Sequence, residues 1–398
     1  MKRLSLLALV LVLAISLTGC FNQEVKLYNA FNKMQDVNAI QTETTLELKF
    51  QAEGFPEEAK ATLEQVAAAV NNTKIQMKQK TTQNKDKTSA KAEMDMELHT
   101  IGEPMKMKVW VVADMSEEEP KLLEIIKMPE MLRGFIFQGE PEKEYLVYDM
   151  KEIMDLSGEE INFGKMMEFS KSFQPKLTEF MKEMQKDFKP GFDIVKSNGN
   201  KTIGNQKLDI YELRLDDATL KELVRYGVNY SLENEVVIEF IKEYMEAVMN
   251  IVVIENEDQE EAKEEIKKEL EELEAKLPEF KEKFNEFMDK YKDIEILGEK
   301  GIVIEYGINE KGYIAHEKGD IDLVIDLEKI AKTMEEEAPE MKGVINLEIS
   351  YTSRNYNINS KVLGVMIPKV NEKNSISIMK LMEKQMEQMQ QIPVVPAP

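Results

Sequence analysis

The segment Ala39-Ile-Gln-Thr-Glu-Thr-Thr-Leu-Glu-Leu-Lys-Phe-Gln-Ala-Glu53 alternates between two kinds of side chain along its whole length. Successive side chains of a β-strand point to opposite faces, so a period of two predicts a long strand with one covered face and one wet face. Gly54-Phe55-Pro56 then ends the strand. The set on the covered face is Ile40, Thr42, Thr44, Leu46, Leu48, Phe50 and Ala52.

The same alternation recurs along the chain and predicts a meander of antiparallel strands. The further predicted strands are 73–84, 88–100, 105–113, 121–127, 143–149, 192–196, 207–215, 301–308, 313–327 and 345–351. Helical periodicity separates some of them. The predicted helices are 24–37, 57–71, 162–188, 217–253, 259–292, 328–337 and 375–390. The fold class is therefore predicted as α+β.

The two long helices at 217–293 are interpreted as a helical hairpin inserted into the sheet domain. In the second helix apolar residues keep the 4-3-4 spacing of a coiled-coil seam, and Pro278 predicts a kink. The seam residues are Ile266, Leu270, Leu273, Leu277, Phe280, Phe284, Phe287 and Tyr291. An alternative organisation is two separate domains divided near residue 190.

The first residues have the pattern of an export signal. Met1-Lys2-Arg3 is basic, and Leu4 to Leu17 carries no charge but is shorter than the roughly 20 residues that span a bilayer. Residues 1–19 are therefore predicted as a signal peptide, and 20–38 as an anchor segment with the first helix. The sheet domain is predicted over 39–374, and a terminal helix with a Pro-rich tail over 375–398.

Composition limits the classes of partner. The single Cys, Cys20, excludes a disulfide within the chain. The formal net charge of −23 repels nucleic acid and anionic lipid headgroups, so we expect no nucleic-acid partner.

No familiar catalytic motif or cofactor site is found, so neither an enzyme nor a cofactor is predicted, although a hydrolase that uses Asp or Glu stays open. His99 and His316 are interpreted as solvated strand residues. Asp320, Asp322 and Asp326 share one side of a predicted strand, where a Ca²⁺ site is an alternative to an ordinary wet face. We favour the wet face and predict no metal.

Methionines cluster on neighbouring predicted strands as Met94-x-Met96 and Met105-x-Met107. Thioethers bind Cu(I), but these residues also lie on the apolar face of their strands, which favours packing. Methionine is flexible and lines surfaces that accept varied apolar ligands. A filled core and a ligand cavity predict the same pattern, and both interpretations stay open.

The chain resembles the LolA/LppX-like superfamily of exported lipid-handling proteins and bacterial lipoproteins. The resemblance rests on the lipobox-like Leu17-Thr18-Gly19-Cys20, the helix at 24–37 that leads into the strand at 39–53, the meander after it, the strand-to-helix segment 204–220 and the hairpin 301–327. It covers most of the chain except 217–293. It implies that Cys20 carries lipid and holds the protein on the extracytoplasmic face of a cell membrane.

The resemblance also implies a large curved antiparallel sheet, an unclosed half-barrel, with helices on its concave face. Such a cavity holds acyl chains, and the superfamily supplies no catalytic residues. The expected cavity residues are Leu46, Leu48, Phe50, Met94, Met96, Met107 and Val109. The expected function is binding of a lipid or another apolar ligand. The alternative is a cell-envelope interaction protein that docks partners through its helical hairpin.

Overall fold

The computed structural model confirms the α+β class and the large antiparallel sheet. It describes residues 25–100, 103–115, 121–137, 140–157, 172–173, 175–177, 179–180, 189–252, 258–334, 342–360 and 364–390. The predicted signal peptide, Cys20, most of the predicted helix at 162–188 and the end of the Pro-rich tail lie outside these residues.

Twelve strands in this part of the chain form one unclosed, mostly antiparallel sheet. Their bounds are β1 Ala39–Glu53, β2 Lys74–Gln83, β3 Ser89–His99, β4 Met105–Asp114, β5 Lys121–Lys127, β6 Tyr145–Asp149, β7 Val195–Ile203, β8 Gln206–Leu215, β9 Leu297–Ile308, β10 Ile314–Asp326, β11 Val344–Tyr356 and β12 Ser375–Ser377. Their order across the sheet is β12-β6-β5-β4-β3-β2-β1-β11-β10-β9-β8-β7. The short β12 pairs with β6 in parallel.

The helices lie before, between and after these strands. Their bounds are α1 Val25–Gln35, α2 Glu57–Asn71, α3 Glu130–Ile136, α4 Met150–Ser157, α5 Asp217–Glu233, α6 Glu235–Val252, α7 Asp258–Lys290, α8 Leu327–Met334 and α9 Ile378–Gln390. Pro278 lies inside α7.

The prediction of one helix over 217–253 is wrong, because the chain leaves helical geometry at Asn234. The Asn234 side-chain oxygen accepts hydrogen bonds from the backbone N–H groups of Val236 at 3.0 Å and Val237 at 3.3 Å. This is the arrangement of an N-cap, so Asn234 starts a new helix. Three helices therefore occupy the segment that the sequence predicts as a hairpin of two.

The chain forms two compact units. The first unit comprises Met1–Asp36, Leu46–Thr73 and Lys165–Arg354. The second unit comprises Val37–Thr45, Lys74–Gly164 and Asn355–Pro398.

The core of the first unit forms where helices pack on β8 and β9. The buried residues in it come from α1, α5, α6, the helical residues near 173–180 and the strands. They include Leu27, Ala30, Phe173, Phe180, Leu223, Val237, Phe240, Tyr211, Leu213, Leu215, Tyr306 and Ile308. Since α5 and α6 contribute Leu223, Val237 and Phe240, part of the predicted insertion is integral to this core.

The second unit has a smaller core around Phe137, Leu146 and Ile376. Ile376 of β12 lies opposite Leu146 of β6, and Ile378 and Leu381 of α9 pack against the same cluster. The terminal segment thus closes one end of this unit's apolar face.

Candidate apolar ligand face

Five methionines of the second unit share one face of β2, β3 and β4. Met96 lies opposite Met77 on one neighbouring strand and opposite Met107 on the other. Directly paired residues of antiparallel strands point to the same side of the sheet. Met77 could not be assigned to this group from the sequence, because the strand that carries it is mostly polar. We call Met77, Met94, Met96, Met105 and Met107 the methionine face.

The methionine face is only half-buried. All five thioethers have intermediate exposure, whereas Val109, opposite Met94, is 7% exposed. Further along this side, Ile126 and Leu146 pack against the small core of the unit. The apolar side of the second unit therefore runs from a covered end to a partly open surface.

The opposite side of the same strands is better covered than the alternation predicts. Glu93, Trp110 and Ile125 lie in one cross-strand row and are 8%, 7% and 1% exposed. Among the described residues, the indole Nε1 of Trp110 has no hydrogen-bond partner. The backbone amide of Met366 donates to Glu93. The sequence feature that indicates this burial is the unbroken apolar run 109–113, which is typical of a strand buried on both sides.

In the first unit, Leu46, Leu48 and Phe50 lie on β1 and are half-buried. Lys49, between them, contacts Glu348 of β11 at 3.3 Å and so defines the polar side of the strand. Because side chains alternate, the three apolar residues share the other side with the odd-numbered residues of β11.

The neighbouring strands extend this apolar side. Ile349 and Leu347 of β11 lie opposite Ile321 and Leu323 of β10, and these four residues are also half-buried. We call Leu46, Leu48, Phe50, Ile321, Leu323, Leu347 and Ile349 the aliphatic face. It differs from the helix-covered core on β8 and β9 by its incomplete burial.

A polar cluster lies on the apolar side of β10. Glu317 is opposite Tyr306 of β9 and accepts a hydrogen bond from the hydroxyl of Tyr351 on β11. Burial raises the pKa of Tyr306, and the charge of Glu317 raises it further. Burial also raises the pKa of Tyr351, together with its hydrogen bond to Glu317. Both phenols therefore stay neutral.

The aspartates considered for Ca²⁺ have other partners. Asp320 accepts a hydrogen bond from the hydroxyl of Ser350 at 2.7 Å. Asp322 accepts one from the backbone N–H of Lys300 at 3.1 Å. Asp326 accepts one from the backbone N–H of Lys329 at 3.0 Å. Within the described ranges, no cluster of three or more His, Cys, Asp or Glu side chains is arranged to hold a metal ion.

The prediction that His316 is solvated is wrong, because its side chain is only 12% exposed and lies 3.9 Å from Glu305. Burial lowers the pKa of His316 below its ordinary value. His99 is more exposed and contacts the Gln76 side-chain oxygen at 3.2 Å.

On α7, the part of the predicted seam with described side chains is half-exposed. Phe280 and Phe287 are 36% and 52% exposed, and Asn285 exchanges two hydrogen bonds with Asn229 of α5. The side chains of Ile266, Leu270 and Leu273 lie outside the described part.

The chain matches no protein-family model and no curated protein sequence. No helix in the part of the chain that the structure covers is long and apolar enough to cross a membrane.

Proposed function

We propose that this chain is an extracytoplasmic lipoprotein, anchored to the membrane through Cys20, that binds lipid or another apolar molecule on the apolar side of its sheet. The concave form of that side and its cover of helices belong to this proposal. The lipobox-like Leu17-Thr18-Gly19-Cys20 supports the anchor, and the sheet geometry supports the binding role.

The binding role rests on one observation, which is that some apolar side chains of the sheet are fully buried and others are only partly buried. The strands β8 and β9 are covered by helices, while the methionine face and the aliphatic face keep intermediate exposure. Apolar area in contact with water is unfavourable by about 25 cal/mol per Å². Covering it with an acyl chain of about 16 carbons contributes on the order of 10 kcal/mol before the costs of binding.

A docking protein is the second candidate, and the exposure of Phe287 on α7 favours it. That residue packs against Tyr291 with ring centroids 4.3 Å apart and the rings tilted by 32°, rather than entering the core. A partner helix or a second copy of the chain would cover this surface.

The decisive experiment is native mass spectrometry of residues 21–398, which include every described residue. We expect co-purified lipid or fatty acid on the wild-type protein. Leu48→Asp combined with Met96→Asp is expected to lose it, because each change places a carboxylate on one of the two apolar faces. The matched control combines Val236→Asp and Met131→Asp, which alter exposed apolar residues of the same two units.

The control variant should keep its ligand, and both variants should retain the wild-type circular dichroism spectrum. A ligand-free mass together with dimers whose fraction rises with concentration would instead support docking through α7. In that case Phe287→Ser should abolish the dimers.

A further inference from the structure

Glu317 is a carboxylate on the apolar side of the sheet that has no cationic partner in the described part of the chain. Its recorded partner is the hydroxyl of Tyr351. It lies on β10 two residues from the buried Gly319 and four from Ile321 of the aliphatic face. All these groups belong to the first unit.

Two well-covered carboxylates of this protein are each paired with a lysine. Glu93 accepts from Lys108 at 2.6 Å, and Asp217 accepts from Lys221 at 2.6 Å. A carboxylate without a cation is unfavourable beside apolar surface, since it loses hydration without compensation. A bound cation would supply that compensation.

Aromatic rings surround the same carboxylate. The ring of Tyr351 lies directly over Gly319, where even a Cβ atom would collide with it. This contact involves the hydroxyl-bearing end of the ring, and the hydroxyl donates to Glu317. Tyr306 lies on the other side of Glu317, with Phe31 against it at a centroid distance of 5.1 Å. A carboxylate beside tyrosine rings is the chemistry that recognises alkylated or primary ammonium groups.

We infer that Glu317 and Tyr351 bind the ammonium headgroup of a single amphiphile whose chain lies along the aliphatic face. The inference rests on the proposed lipid-binding function and adds to it a ligand class. The carboxylate neutralises the ammonium, the Tyr351 ring contacts its alkyl groups, and Ile321 and Ile349 cover the first part of the chain. An anionic fatty acid would place its carboxylate against Glu317 and is disfavoured.

The test uses the full-length protein in a neutral detergent, analysed by native mass spectrometry with equal amounts of lysophosphatidylcholine and lysophosphatidylglycerol of one acyl length. We expect the wild-type protein to take up the choline lipid at least 10-fold more. Glu317→Gln should reduce this preference to less than about 2-fold, and Glu317→Lys should reverse it. Glu305→Gln is the matched control, because Glu305 lies on the neighbouring strand opposite Lys318, on the other side of the sheet.

Equal uptake of both lipids by the wild-type protein would overturn the headgroup inference and leave lipid binding intact. A preference that survives Glu317→Gln would also overturn it. Uptake of neither lipid would refute the proposed function and the inference with it. If the variants do not fold, a competition experiment on the wild-type protein replaces them. Tetramethylammonium should then displace more of the choline lipid than an equimolar concentration of sodium does.

Discussion

Glu93 is buried and its carboxylate has several partners. Among the charged residues of the second unit, we therefore expect Glu93 to contribute most to stability. Burial alone would raise the pKa of its carboxyl group, but the hydrogen bond and charge of Lys108, the charge of Lys80 and the amide of Met366 lower the pKa below its usual value. A carboxyl group whose pKa is lowered by folding stabilises the protein above its unfolded pKa, and this contribution is lost as the pH falls through the folded value.

We expect Glu93→Gln to lower the free energy of unfolding by about 2 kcal/mol at pH 7, the usual contribution of a hydrogen bond to a charged group. The difference from the wild-type protein should shrink as the pH falls below about 4. Urea denaturation at a series of pH values measures both. Asp95→Asn is the control, since Asp95 contacts the same Lys108 at 3.1 Å but is half-exposed. An equal loss in both variants would show that burial is not the cause.

At the scale of elements, the segment with α5, α6 and α7 is closed at its base by two side chains. Asp217 accepts hydrogen bonds from the backbone N–H groups of Ile296 at 2.7 Å and Leu297 at 3.0 Å. Lys221, which pairs with Asp217, donates to the carbonyl oxygens of Lys292 and Ile294. The start of α5 is thereby joined to the start of β9.

Asp217→Ala should destabilise the protein by about 3 kcal/mol, because two backbone donors lose their acceptor and the partly buried Lys221 ammonium loses its anionic partner. Amide hydrogen exchange should rise first at Ile296 and Leu297. Asp293→Ala removes an exposed carboxylate from the same junction and should change stability by less than about 0.5 kcal/mol. Unchanged exchange at Ile296 in the Asp217 variant would contradict this role.

The elements that the sequence predicts well are those with a single regular period. The strand at 39–53 alternates without interruption, and the structure has β1 over Ala39–Glu53. The break at Asn234 was missed because capping depends on one side chain within an otherwise helical pattern. The buried row of Glu93 and Trp110 was missed because its cover comes from a segment more than 250 residues later, near Met366. The pairing of Glu317 with Tyr351 likewise depends on strand register, which alternation alone does not determine.

At the scale of the whole molecule, the proposed anchoring would depend on a single atom, the thiol sulfur of Cys20. The expected diacylglycerol makes membrane attachment stable, whereas a single acyl chain gives only marginal binding. Because the chain carries a formal charge of −23, it should be repelled by anionic headgroups and gain no further attachment from its surface.

Cys20→Ala should therefore move the protein from the detergent phase to the aqueous phase when cells are partitioned in a cloud-point detergent. Asn22→Ala, outside the lipobox-like motif, should leave it in the detergent phase with the mass of a lipidated mature chain. A Cys20 variant that still enters the detergent phase with added lipid mass would refute the anchor.

The methionine face also makes the protein sensitive to oxidants. Its five thioethers are half-exposed, and oxidation converts a methionine to a polar, chiral sulfoxide. Adjacent sulfoxides at Met77, Met96 and Met107 would turn an apolar row into a hydrated one and weaken its contact with hydrocarbon. Met366, at 81% the most exposed large apolar side chain in the part of the chain that the structure describes, offers an earlier target on a different segment. An aliphatic lining of leucine would lack this chemistry, so under the proposed binding role the methionines would link occupancy of the face to the oxidation state of the surroundings.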